Sequence, residues 1–138
     1  MYKRQEVDSS LYYFNKLKPE FSTDTTRKIE ILARINLADA YIEKTLFETG
    51  DSILKATIPI AESKNNTYLL TKLYFDLAEC NRLNFKNEVA IRYQKIALKY
   101  AKKCNEAYFV SVGYINISEV LLVEANYNNC LLYTSRCV

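Results

Sequence analysis

The side chains that could take part in chemistry recur at helical spacing along this 138-residue chain. Asn36, Asp39 and Glu43 are three and four residues apart, so a helix places them on one stripe. The same positions 40 and 80 residues later are occupied by Asp76, Glu79, Leu83, Asn116, Glu119 and Val123. A line of amides and carboxylates can hold a bound peptide, chiefly by orienting it and raising its association rate.

Two interpretations of this stripe are open. It is either a ladder that binds an extended or helical peptide, or a solvated face whose acids pair locally and whose Asn/Asp position bonds neighbouring repeats to each other. Arg82 stands one turn after Glu79 and is expected to neutralise part of its charge, which leaves the net field negative. The candidate groove residues are Asn36, Asp39, Glu43, Asp76, Glu79, Arg82, Asn116 and Glu119.

These side chains belong to a seven-residue phrase that occurs three times. Its copies are RINLADA at residues 34–40, YFDLAEC at 74–80 and YINISEV at 114–120. Each copy begins 40 residues after the previous one. A fixed period of this length is typical of stacked helical repeats rather than of a single closed core. The chain is therefore predicted to be an all-α solenoid of antiparallel helix pairs.

The register of the repeat extends beyond the phrase, because Asn65 matches Asn105 at the same offset. The turn that follows the phrase is expected to vary in length. Matching Phe47 with Phe85 makes this turn two residues shorter in the second copy. Loops tolerate such differences better than helix interiors do, so the slip is predicted to be local.

Apolar residues at spacings of three and four predict paired helices. These are expected at residues 26–47, 52–64, 67–83, 87–104 and 106–125, with a further helix before residue 18. The first carries two apolar stripes and is expected to be covered on two sides. Gly50 is assigned to the turn within the first pair, and residues 126–129 to a turn after the last helix.

The predicted repeats span residues 22–66, 67–105 and 106–129, the third of them incomplete. Residues 1–21 are interpreted as the trailing helix of a preceding repeat. Stacking of such helix pairs is expected to produce a right-handed superhelix.

Composition argues against an enzyme. The chain has no histidine, which excludes Ser-His-Asp and Cys-His nucleophile systems and histidine-bearing zinc sites. Its two glycines, Gly50 and Gly113, are isolated, so no phosphate loop or dinucleotide fingerprint can be built. We expect no cofactor and no metal.

A role in nucleic-acid binding is also not expected. Lys95, Lys99, Lys102 and Lys103 form a basic stripe on the fifth predicted helix. The net charge of the chain is only +3, and acidic residues are interspersed throughout. The stripe is therefore interpreted as a solvated convex face.

The last nine residues, CLLYTSRCV, resemble translated sequencing-adapter DNA read across two abutting transposon ends. Residues 130–138 are interpreted as a non-native scar, and the chain as a fragment of a longer bacterial protein. Without this tail there are 18 basic and 16 acidic residues, a net charge of +2. Only Cys80 and Cys104 then remain, too few for a disulfide framework.

No uninterrupted run of 18 apolar residues occurs, so no membrane span is expected. The N-terminus leads into no apolar segment of the kind found in signal peptides. A cytoplasmic location is predicted. A periplasmic location is left open, since a leader upstream of Met1 would not be visible in this sequence.

Paired helices with small residues at fixed offsets resemble tetratricopeptide repeats. The second repeat carries the resemblance best, because Leu77 and Ala78 supply the Leu-small pair of the first helix, and Ala90 and Ala97 follow Ala78 after 12 and 19 residues. Tyr74 takes the place of the large aromatic residue that opens that helix. The usual period of the family is about 34 residues, so a period of 40 implies longer helices. The resemblance covers approximately residues 26–129.

This resemblance implies a scaffold that binds a protein or peptide in a groove lined by the first helix of each pair. An alternative is a sensory or regulatory segment of a bacterial signalling protein, because long-helix repeats of this kind resemble those that precede histidine-kinase or helix-turn-helix output domains. The sequence that follows Asn129 in the natural protein would separate the two hypotheses. The identity of the partner is not predicted.

Overall fold

The computed structural model describes residues 2–17 and 24–136, and these form α-helices joined by short turns. The six helices within this part of the chain are α1 (Tyr2–Leu17), α2 (Asp24–Glu43), α3 (Phe47–Ser63), α4 (Thr67–Leu83), α5 (Asn87–Lys103) and α6 (Ala107–Arg136). The all-α prediction is confirmed. The predicted boundary at residues 21–22 lies outside the described residues.

The turns between helices repeat every 20 residues. Thr45, Asn65, Phe85 and Asn105 each have a positive φ, between 52° and 64°. In every turn the next residue donates its N–H to the carbonyl five residues earlier, as Leu46 does to Tyr41 at 2.9 Å. This is the Schellman arrangement, in which a left-handed residue ends a helix and its last carbonyls find partners. The repeating unit is therefore one helix and one three-residue turn.

The expected slip in the turn after the phrase is wrong. The left-handed residue of the first turn is Thr45 and that of the third is Phe85, so these two are equivalent and Phe47 is matched by Asn87. Both turns have the same length. Phe47 and Phe85 share only their residue type, because the first begins a helix and the second occupies a turn.

Gly50 is not in a turn, contrary to the sequence prediction. It lies inside α3 and is buried. A Cβ atom added there would be 2.6 Å from Cγ1 of Ile42 and 3.2 Å from the carbonyl oxygen of Ala38. The glycine is therefore needed because α3 passes close to α2 at this point. Helix α2 ends at Glu43 and α3 begins at Phe47, which lengthens the second helix at the expense of the first.

The predicted turn at residues 126–129 is also wrong, since α6 continues to Arg136. The 20-residue period would place a turn at Glu124–Asn126. A helix starting after it would have only residues 127–138 to form and to pack. Isolated helices shorter than about 12–15 residues are marginal. Continuing α6 instead preserves the hydrogen bonds of the helix backbone.

Consecutive helices pack against each other as antiparallel pairs along the chain. In addition α2 contacts α4, and α4 contacts α6, whereas no comparable contact joins α3 to α5 in the described residues. The helices α2, α4 and α6 therefore form the inner layer of the stack, and α3 and α5 form the outer layer. The candidate groove residues all belong to the inner layer.

The core confirms the Leu-small pair of the first two copies of the phrase. Leu37 and Leu77 are 5% and 0% exposed, and Ala38 and Ala78 are 0% and 2% exposed. The same pair in α6 behaves differently, because Ile117 is half-buried and Ser118 is exposed. A helix follows α2 and α4 on each side of the stack, whereas only α5 covers α6.

One helix, α6, is long and apolar enough to cross a membrane by length and composition. The segment Ala107–Leu132 reaches a mean hydropathy of 1.3, and 11% of its most apolar window is buried. The search for an uninterrupted apolar run missed it because isolated polar residues break every such run. The segment nevertheless begins in contact with α5, as described below.

We predict that Phe85→Asn stabilises the protein. Phe85 has φ 60° and is 91% exposed, so it bears the cost of a left-handed conformation without gaining burial. Asn occupies the equivalent position in two of the other turns. We expect the free energy of unfolding in urea to rise by about 1 kcal/mol. Unchanged or lower stability would show that the Phe85 ring makes a contact that offsets this cost.

We predict the opposite sign for Ala78→Leu. Ala78 is buried where α4 meets α5, and it faces a space of only about 10 Å³. Three added carbons would overpack this contact and lower the free energy of unfolding by about 1–3 kcal/mol. A neutral effect in thermal melts would mean that the helices can separate there at no cost.

Candidate functional site

The structure gathers the candidate residues into two neighbouring clusters on the inner layer. Glu79, Arg82 and Asn116 line one pocket where α4, α5 and α6 meet. Asp39 and Asp76 interact electrostatically across the contact between α2 and α4. The stripe is continuous, because helices α2, α4 and α6 are neighbours in space as well as equivalent in sequence.

The remaining candidates lie on the borders of these clusters. Asn36, Glu43 and Glu119 are exposed. Glu119 lines a groove beside the first pocket and acts on the charge of Arg82. No hydrogen bond joins Asn36, Asp76 or Asn116 to a neighbouring repeat in the described part of the chain. The structural interpretation of their shared position therefore has no hydrogen bond to support it.

Arg82 is held by Glu79 in the two-pronged geometry expected from their spacing. Its Nη2 donates to Oε1 of Glu79 at 2.6 Å and its Nε donates to Oε2 at 2.8 Å. This bond raises the pKa of Arg82 above its ordinary value. A guanidinium has five N–H donors, so these two bonds leave others directed to a bound acceptor. Glu79 is thereby locally neutralised, as the sequence predicted.

Asp76 is the most perturbed group of the stripe. Desolvation by burial, followed by the charge of Asp39, raises the pKa of Asp76 from 3.8 to about 7. Lys72, which pairs with Asp76 at 3.4 Å, opposes the shift, and Glu79 adds to it. Burial also raises the pKa of Asp39. Asp39 is half-buried, so the expectation that it points fully into water is wrong.

Gln94 is a functional candidate that sequence reasoning missed. Its side chain lies on α5 beneath the pocket lined by Glu79, Arg82 and Asn116. The residue is 4% exposed, and its Nε2 is buried with no hydrogen-bond partner. Leaving a buried donor unpaired costs about 1–3 kcal/mol. The available signal was a polar residue on the inward face of α5, between Tyr93 and Ala97.

The pocket and an adjoining groove share Arg82 and Val120. The pocket holds about 10 Å³, which is about the space of one water molecule or one carbonyl oxygen. The groove is larger, about 350 Å³, and is lined mainly by apolar side chains that include Phe85, Leu122 and Val123. The arrangement therefore combines a small polar site with an apolar groove, as in many binding sites.

A second buried polar contact holds the helices together rather than facing the groove. Nδ2 of Asn81 donates to Oδ1 of Asp51 at 2.9 Å and to the carbonyl oxygen of Leu77 at 2.8 Å. Asp51 also pairs with Lys55 at 2.6 Å. Sequence analysis had read Asp51 as a helix cap. Its position inside α3 instead makes it a link between α3 and α4.

No protein-family model matches the chain, and no curated protein matches it. Its fold is similar to that of a bacterial kinesin light chain. The crystal structure of BtubC (BKLC) from P. vanneervenii superimposes with a TM-score of 0.77 at 17% sequence identity. The match covers 96% of this chain and 54% of BtubC, so the chain spans about half the length of that protein. The fold is thus a tetratricopeptide-like helical repeat.

We predict that Asp76→Asn stabilises the protein increasingly as the pH rises. The folded state holds the Asp76 proton more tightly than the unfolded chain, so ionisation destabilises the fold as the pH climbs from about 4 through about 7. Asn, which stands at this position in the other two copies, cannot ionise. Near pH 8 we expect a gain on the order of 1–2 kcal/mol, with little difference near pH 4.

Urea unfolding of both proteins across this pH range measures the effect. Glu43→Gln is the matched control, since Glu43 belongs to the same stripe but is exposed. A difference between Asp76→Asn and the parent protein that stays constant with pH would show that Asp76 is ionised throughout.

Proposed function

We propose that the chain is a non-catalytic scaffold that binds a basic peptide segment of a partner protein along the inner layer of helices. The observation that carries the proposal is the unpaired Nε2 of Gln94 beneath the acidic stripe. A buried donor without a partner weakens the free protein. Supplying an acceptor from a ligand would remove that cost.

Charge is the second support for a basic ligand. The stripe carries the carboxylates of Asp39, Glu43, Asp76, Glu79 and Glu119. Lys72 and Arg82 are the basic residues paired with this stripe. A row of like charges on a concave surface attracts cations and orients them before contact. The same surface repels phosphate groups, so the proposed partner is a protein and not a nucleic acid.

Proton exchange is expected to accompany binding. A lysine or arginine side chain placed between Asp39 and Asp76 would favour their ionised forms and so lower the pKa of Asp76. Because the pKa of Asp76 starts at about 7, the ligand would displace a proton from a part of the population near neutral pH. Affinity should therefore increase with pH between about 6 and about 8.

The polar pocket sets what else the ligand must carry. Gln94 can donate one hydrogen bond into a space of about 10 Å³, and Arg82 has donors beyond those that Glu79 takes. A backbone carbonyl oxygen of the peptide fits such a space. Apolar side chains next to it would enter the groove lined by Phe85 and Leu122. The expected motif is thus a basic residue followed by an apolar one.

We predict that charge reversal on the inner layer abolishes binding of a basic peptide. The probe is a fluorescein-labelled, end-capped peptide of alternating lysine and leucine, followed by anisotropy. Asp39→Lys combined with Glu79→Lys should weaken binding at least about tenfold and remove its salt dependence between about 50 and 300 mM NaCl. Circular dichroism should show unchanged helix content.

The matched control is Glu62→Lys combined with Glu88→Lys. These residues are exposed on α3 and α5, in the outer layer, and the change in net charge is identical. If both double variants weaken binding equally, the probe responds to net charge alone and the proposed groove is wrong. A peptide of alternating glutamate and leucine should not bind either protein.

A further inference from the structure

The last helix, α6, has one covered side and one open side. Along the stack, α4 lies between α3 and α5, whereas α6 contacts α5 and the inner edge of α4. Within residues 2–17 and 24–136 no helix follows on its other side. Helix α6 nevertheless carries the same repeat sequence as α4, so its open side can be compared with α4 position by position.

The comparison identifies the missing contact. Helix α4 meets α5 through Thr71, which lies 3.7 Å from the sulfur of Cys104, and Tyr74, whose ring stacks on Tyr100 at 5.7 Å. Thr71 and Ala78 are 0% and 2% exposed, and Tyr74 is half-buried. Forty residues later, Ser111, Tyr114 and Ser118 are all exposed. The equivalent surface therefore exists on α6 but lacks its helix.

This surface is apolar as well as exposed. Ile115 is 56% exposed, Tyr114 is 52% exposed and Leu122 is 62% exposed. We refer to Ser111, Tyr114, Ile115, Ser118 and Leu122 as the open side of α6. The large apolar residues are interrupted by two serines, which are small enough to let a second helix backbone approach. Terminal repeats that end a stack normally present a polar outer face, and this one does not.

We propose that the open side of α6 binds an amphipathic α-helix of a partner protein, antiparallel to α6 and similar in pattern to α5. The first argument is continuity with an interface already present in the molecule. Helix α5 fits α4 because Ala90, Ala97 and Ala101 face inward and are 3%, 0% and 0% exposed. A helix with small residues at the same spacing would meet α6 in the same way.

The second argument is charge. Before Arg136, the charged residues of α6 are Glu119 and Glu124, both acidic. Helix α5 bears Arg92 and four lysines against a single glutamate. A partner helix with basic residues beside its small ones would therefore complement α6. This occupant differs from the segment proposed for the inner groove, because it binds through a helix face rather than through the carboxylate stripe.

Two other occupants fit the surface less well. A second copy of the chain would set the tyrosine, isoleucine and leucine of one open side against the same large residues of another, and no small residue would receive them. A membrane would require α6 to leave α5. Gly113 is packed so closely there that an added Cβ would lie 2.5 Å from Cδ2 of Leu98, and burying Glu119 and Glu124 in lipid would be costly.

The test uses the α5 sequence as the probe. A fluorescein-labelled, end-capped peptide of residues 87–103 is titrated with the whole protein, and anisotropy reports binding. Replacing Ile115 and Leu122 with glutamate should weaken binding at least about tenfold. Replacing Ile29 and Leu32 with glutamate is the matched control, because both are exposed on α2, and it should leave binding unchanged. A peptide with Ala97→Leu should bind at least about tenfold more weakly.

Each contrary outcome overturns the proposal. Equal binding to both double variants would mean that the peptide does not use the open side. A dimer seen by light scattering that dissociates on replacing Ile115 and Leu122 would identify a second copy as the occupant. Co-sedimentation with phosphatidylglycerol vesicles, lost in the same variant, would identify a membrane. The inner groove is tested separately, since Asp39→Lys with Glu79→Lys should not affect binding of the α5 peptide.

Discussion

The architecture depends on the need to cover each inner helix on two sides. Helix α2 illustrates the constraint, because Ile31, Ile35 and Ala38 are fully buried while it packs between α1 and α3. A helix with two apolar sides cannot be stable alone. Stacking supplies the second cover from the next unit, so the stability of every unit depends on its neighbours. The 20-residue turn fixes where each neighbour begins.

The turn itself is the less obvious half of this constraint. Only Asn65 and Asn105 belong to a residue type that tolerates the left-handed region well. Thr45 and Phe85 adopt it at a cost, and they do so because a turn of any other length would break the alignment of α3 and α5 with their partners. The packing of the helices therefore imposes the backbone conformation of the turn, rather than the reverse.

Much of the fold was readable from the sequence, and the reasons for the failures are specific. The phrase located α2, α4 and α6, and the bounds of α4 were predicted correctly, because Asn66 caps its start by accepting a hydrogen bond from the N–H of Leu69. Gly50 was misplaced because a glycine at a close helix contact and a glycine at a helix end look identical in sequence. The slip was inferred from matching two phenylalanines whose backbone conformations differ.

The site was predicted less completely than the fold. Spacing alone identified the pairing of Glu79 with Arg82, which is a local interaction of one helical turn. The electrostatic coupling of Asp39 with Asp76 joins residues that are far apart in sequence and depends on how closely α2 approaches α4. Gln94 was missed for a similar reason, since its lack of a partner depends on the depth of a pocket formed by three helices. Such properties need the packed structure.

The polar irregularities of the molecule are concentrated on its inner layer. The paired buried groups, Asp51 with Asn81, link α3 to α4 and satisfy each other. The strained groups, Asp76 with its raised pKa and Gln94 with its unpaired donor, both face the helices α2, α4 and α6. Asn at position 76 and an apolar residue at position 94 would serve packing better. Because the repeat has Asn available at that position in its other copies, retention of the carboxylate in the middle copy is better explained by contact with a ligand than by the stability of the stack.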